Sequence, residues 1–83
     1  YAIHKTKVPL DRAALARGQE AIRAHFEAAE PNEQDGLRLD WPDRWLLIRA
    51  SNTEPIARII AEAPDMDAAA QLCDEAASVL AGA

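Results

Sequence analysis

One cysteine, Cys73, stands in 83 residues, so no internal disulfide framework is possible. A lone thiol fits a reducing compartment. No apolar run approaches the ~20 residues of a membrane span, and no basic-then-apolar stretch opens the chain. A cytoplasmic protein with no membrane contact is expected. Basic charge is also scarce. Nine lysines and arginines stand against fourteen carboxylates, for a net charge of −5. That argues against a nucleic-acid binder, which carries a basic face for the phosphate backbone. No internal repeat and no low-complexity tract is present.

What is there suits one small domain. A chain of this length buries roughly 60–65 % of the surface its unfolded form exposes, enough for one modest core. Hydrophobic and charged fractions of 49 % and 28 % are ordinary for a globular protein. The chain opens at Tyr1 and enters a strand-like segment almost at once, and it holds no second cluster of catalytic residue types. Residues 1–83 are therefore expected to be a single domain excised from something larger.

Tyr1 to Pro9 alternates loosely and predicts a short strand, which Pro9 ends. Asp11 has the chemistry of a helix N-cap. Leu15, Gly18, Ile22, Phe26 and Ala29 form one apolar stripe, predicting a helix from Arg12 to about Ala29 that Pro31 stops. From Gly36 the period becomes two, with Leu37, Leu39 and Trp41 on one side. Residues 41–44 read as a turn. Trp45 to Ala50 is apolar on both sides until Arg49, as in a central strand. Ile56 to Ala63 is the third strand of this meander. Asp65 or Asp67 caps a last helix, with Ala69, Leu72, Cys73, Ala76 and Leu80 as its stripe. Three strands joined by short turns are antiparallel neighbours. Two helices with one stripe each cover one face. The predicted fold is an α+β two-layer sandwich, β-α-β-β-β-α, with an antiparallel sheet of about four strands.

The stretch Arg49-Ala50-Ser51-Asn52-Thr53-Glu54-Pro55-Ile56-Ala57-Arg58 carries the functional signal. If Ala50 pairs with Ala57, Arg49 faces Arg58 on one side of a hairpin. Like charges opposed across a ladder are destabilising, and an anion between them removes the repulsion. Arginine offers a planar fork that matches two phosphate oxygens. Ser51 and Thr53 add hydroxyl donors, Asn52 an amide, and a tight loop can converge its backbone N–H groups on an anion. The pattern reads as a phosphate clamp. The bland alternative is a polar hairpin loop in which Glu54 or Glu62 neutralises an arginine. Composition alone does not decide between them.

The same residues resemble the C-terminal domain of the α-D-phosphohexomutases. The loop through Pro55, followed by Arg58 and Glu62-Ala63, carries the likeness. The Asp35-Gly36-Leu37-Arg38 entry, the Trp45–Arg49 strand and the closing helix also fit, so the likeness covers essentially the whole chain. Asn52 looks more like the phosphomannomutase/phosphoglucomutase branch. The phosphoglucosamine mutase branch usually has glycine there. The resemblance implies a fold like that of the TATA-box-binding protein, as the fourth domain of a four-domain enzyme. It implies a phosphoserine in the first domain and a bisphosphorylated sugar intermediate, so that 6-phospho and 1-phospho hexoses interconvert. Mg2+ is held in a missing domain, with no cofactor here. By position it makes Arg49, Ser51, Asn52, Thr53 and Arg58 contacts to the phosphate that is not being transferred. The partners implied are glucose or mannose phosphates and the enzyme's other domains. The chain alone is expected to be inactive, with no catalytic residue and no metal ligand of its own. The alternatives are the same domain of a phosphoglucosamine mutase and a free-standing anion-binding module.

Other residues carry less. His4 and His25 have no nucleophile or metal-ligand partner in the pattern and are expected in packing or surface roles. Cys73 is expected as a small buried hydrophobe. Trp41 and Trp45 are expected to cover sheet surface, and an exposed Trp41 would mark a docking contact. Glu27, Glu30, Glu33 and Asp35 read as a solvated stretch, not an acid–base pair.

Overall fold

The computed structural model describes residues 1–32, 36–51 and 54–82. Seven elements follow in order: β1 (Ala2–Pro9), α1 (Arg12–His25), β2 (Glu30–Asn32), β3 (Leu37–Trp41), β4 (Arg44–Ala50), β5 (Ile56–Ala63) and α2 (Met66–Gly82). The five strands form one sheet in the order β1-β5-β4-β3-β2, and every neighbouring pair is antiparallel. The α+β sandwich expected from the periodicity is the fold observed.

One face of the sheet makes the core. Ile59, Ile48 and Leu37 stand in one cross-strand row, with Ala61, Leu46 and Leu39 in the next, and all six are buried. Each fully buried Leu or Ile contributes roughly 1.5–3 kcal/mol relative to exposure. α1 closes this face with Leu15 and Ile22, and α2 with Ala69, Leu72, Cys73, Ala76 and Leu80. The stripe predicted for α2 is the buried set residue for residue. Gly18 allows the two helices to approach closely: a Cβ there would lie 2.6 Å from Leu80 Cδ2.

The helix starts follow the expected capping. The Asp11 carboxylate accepts from the Ala14 N–H at 2.8 Å. Asp65, the first of the two residues considered, accepts from the Ala68 N–H at 2.8 Å.

Two expectations need correction. The first helix ends at His25, four residues short of Ala29, and Phe26 is its C-cap. Phe26 leaves the helix to meet Trp41 edge-on, with ring centroids 5.5 Å apart. Ala29 is still buried, but as part of the turn that follows. The sheet also has five strands, not four. Glu30–Asn32, read as helix stop and connection, pairs with Asp40, Leu39 and Arg38 as an edge strand. Pro31 is compatible with β2 because that strand is an edge, where a missing N–H is tolerated. Trp41 is half-buried against Phe26, so the docking role for an exposed Trp41 falls away.

Candidate functional site

The hairpin β4–β5 has the register on which the clamp depends. Ala50 pairs with Ala57 and Arg49 with Arg58. Both arginines are exposed and lie on the sheet face away from the helices. The row extends further, because Lys7 of β1 pairs with Arg58. Three cations therefore stand side by side across β1, β5 and β4. Directly opposed residues on neighbouring strands lie about 4.5–5.5 Å apart at Cα, so their charges repel.

Among the described residues, Arg49, Arg58 and Lys7 make no ion pair. Glu62, considered above as a neutralising partner, instead accepts from Trp45 Nε1 at 3.0 Å. Asp40 pairs with Arg38 at 3.1 Å, and that guanidinium lies 4.7 Å from the Trp45 ring centre. Asp43 pairs with Arg44 at 2.9 Å. The Arg44 side chain holds the Asp43 carboxyl below its usual range, and Asp43 raises Arg44 in turn.

The loop is tied down on both sides. Ser51 N–H donates to the Ile56 carbonyl at 3.1 Å, extending the ladder by one pair. Ile56 N–H donates to the Glu54 carbonyl at 2.8 Å. Leu10 N–H donates to the Pro55 carbonyl at 2.8 Å, fastening the β1–α1 turn to the loop exit. Ser51 is half-buried at the end of β4. Asn52 and Thr53, the other two expected contacts, lie outside the described residues.

Two grooves flank the loop. The first, about 350 Å³, lies between α1 and the Gly36–Arg49 end of the sheet, with Arg12, Gln19 and Arg49 as its polar lining. Gly36 borders it. Its φ is +99°, and a Cβ there would lie 2.5 Å from the Ile48 carbonyl oxygen and 3.0 Å from Arg49 Cγ. The second groove, about 420 Å³, has Asp11, Arg12, Ser51 and Glu54 as its polar lining. Arg58 lines neither groove. Arg12 lines both and was not singled out from the sequence. As the first residue of a helix it reads as ordinary surface, and only tertiary contact brings it to the loop.

His25 and Cys73 make structural contacts. His25 Nε2 meets Glu75 Oε2 at 2.5 Å and ties α1 to α2. The Cys73 thiol donates to the His4 carbonyl at 3.4 Å, and burial pushes its pKa up to about 11. It is therefore protonated near neutral pH and unsuited to nucleophilic work. Among the described residues no three His, Cys, Asp or Glu side chains gather. No helix among them is long and apolar enough to cross a membrane.

The fold is a small α+β sandwich whose β4–β5 hairpin carries Arg49, Arg58 and the neighbouring Lys7 without an ion pair among the described residues. The family model for the phosphoglucomutase/phosphomannomutase C-terminal domain matches residues 6–79, and the chain belongs to that family. A phosphoglucosamine/phosphogalactosamine mutase of Sulfurisphaera tokodaii is 44% identical over 99% of this chain and 19% of its own length. Probable phosphoglucosamine mutases of Methanocella arvoryzae and Thermococcus gammatolerans are 48% and 35% identical, over 71% and 92% of this chain and 14% and 18% of their own length. The chain thus spans less than one fifth of each relative.

Proposed function

We propose that this chain is the phosphate-gripping domain of a phosphohexomutase, and that the 49–58 loop holds the sugar phosphate that is not being transferred. The observation that carries this reading is the register of Arg49 against Arg58, with no ion pair to either among the described residues. A fold tolerates opposed cations more readily where a dianion is there to sit between them. Arg49 and Ser51 border the grooves beside the loop, and Arg58 closes the row from the next strand. Asn52 and Thr53 complete the contact set by position.

The job suits the parts. In the reaction implied by the family, a phosphoserine elsewhere in the enzyme gives its phosphoryl group to the sugar, and the bisphosphorylated sugar then turns around. Magnesium, held elsewhere, would stabilise charge on the group in flight. This domain would meet the 1-phosphate in one half-reaction and the 6-phosphate in the other. It should therefore read phosphate and little of the sugar. Holding one end of the substrate converts the transfer at the other into an oriented, effectively unimolecular step. No group here takes or gives a proton at the reacting centre, so the chain alone is inactive and works in the cytoplasm as part of a longer enzyme.

For the sugar, the names of the relatives favour glucosamine phosphate. Asn52 alone favours glucose or mannose phosphate, and similarity over most of the chain outweighs one position. An NMR titration with glucose 1-phosphate tests the grip itself. Shifts centred on residues 49–58, weakened by Arg58→Ala, are expected. Shifts centred elsewhere, with Arg58→Ala leaving affinity unchanged, would defeat the proposal.

A further inference from the structure

The cation row does not stop at the hairpin. Lys7 of β1 is the register partner of Arg58 on one side, as Arg49 is on the other, so Arg58 has a cation on each flank. Lys7 is exposed, whereas Thr6 and Val8 beside it are partly buried and Val8 packs on the core. The alternation of the strand therefore sends Lys7 to the sheet face away from the helices, the face of Arg49 and Arg58. Lys7 makes no ion pair among the described residues. Three like charges in one row cost the fold more than one opposed pair does.

Backbone hydrogen bonding fixes this placement. β1 and β5 pair without a break from Ala2 opposite Ala63 to Pro9 opposite Ile56. Leu10 N–H then donates to the Pro55 carbonyl at 2.8 Å, fastening the end of β1 to the loop exit. Lys5, on the same face of the same strand, is placed differently. Its partner is Ile60, which pairs in turn with Leu47, so its row is apolar across β5 and β4.

Charge gives Lys7 a use. The stretch from Arg49 to Arg58 holds two arginines and Glu54, a net charge of +1. A phosphate monoester carries roughly −1.5 to −2 near neutral pH. The hairpin alone leaves part of that charge unmatched, and Lys7 supplies the missing unit. An ammonium on a flexible stem adds charge without requiring the fixed geometry of a guanidinium fork.

We propose that Lys7 is the third cation of the phosphate site, which makes Arg58 the middle of that site and not its end. This inference rests on the clamp reading and extends it from one hairpin to three strands. The ligand class is a phosphate monoester dianion, to which Lys7 contributes charge and not shape.

The test uses the chain with inorganic phosphate as probe, at a constant ionic strength of about 0.15 M held with chloride. Affinity is read from amide shifts of residues 49–58. Lys5→Met is the control, since it removes the same charge from the same face of the same strand, one row further off. Lys7→Met is expected to weaken phosphate binding about twofold to fivefold, the range for one exposed charge. Lys5→Met should change it less than about 1.5-fold, because salt screens the more distant charge. Lys7→Arg should keep the parent affinity. In phosphate-free buffer Lys7→Met should melt no lower than the parent, because Arg58 loses a like-charged neighbour. A loss from Lys7→Met no greater than that from Lys5→Met, with shifts still centred on 49–58, would overturn the role of Lys7 and leave the clamp standing. Absence of phosphate shifts around 49–58 in the parent chain would overturn both.

Discussion

The two ends of the β4–β5 hairpin meet the same problem differently. At the turn-distal end, Trp45 opposes Glu62 and their side chains hydrogen-bond at 3.0 Å. Arg38 lies over the same indole and pairs with Asp40. Glu62, Arg38 and Asp40 thus each have a partner there. At the loop end, Arg49 opposes Arg58, Lys7 continues the row, and no carboxylate joins them among the described residues. The chain has acid to spare, with fourteen carboxylates. The lack of counter-charge at one end is therefore a matter of placement. One end of the hairpin is finished by the fold, and the other is the end that the proposed function assigns to a ligand.

Substitutions sharpen that contrast, and the largest effect is expected at Gly36. It borders the groove beside Arg49, and its φ of +99° and the 2.5 Å approach to the Ile48 carbonyl leave no room for a methyl group. Gly36→Ala should cost about 3 kcal/mol in denaturant unfolding and should narrow the groove at Arg49. The next effect has the opposite sign. Arg58→Glu replaces a repelling pair by an attracting one and should stabilise the phosphate-free chain by about 0.5–1 kcal/mol, while phosphate binding is lost. At the finished end the same kind of change should only harm. Glu62→Gln weakens the acceptor for Trp45 and should destabilise by about 0.5 kcal/mol, with phosphate affinity unchanged. If Arg58→Glu and Glu62→Gln both destabilise, the two ends are alike and the contrast fails.

Much of the fold was legible because its signals are periodic. The α2 stripe and the β3 and β5 alternations reflect burial on one face, and burial is strongly selective for apolar side chains. The register of Arg49 against Arg58 was legible as a conditional, since pairing Ala50 with Ala57 determines it. Strand β2 was not legible. Its three residues, Glu30, Pro31 and Asn32, are all exposed, so no apolar alternation marks them. They pair because β3 offers them an edge. The end of α1 was misplaced for a related reason. Phe26 and Ala29 fit the helical stripe and are wanted by the core, but they reach it from a turn. Arg12 was not singled out because only the fold brings the start of α1 beside the loop, through the hydrogen bond of Leu10 to Pro55.

The central claim is that the fold bears a repulsion at the loop which phosphate relieves. A double-mutant cycle of Arg49→Met and Arg58→Met, read as unfolding free energy with and without saturating phosphate at matched ionic strength, measures it most directly. The account predicts a repulsive coupling of about 0.5 kcal/mol in chloride that becomes favourable in phosphate. A coupling that is zero or favourable in chloride, and that phosphate does not change, would contradict it.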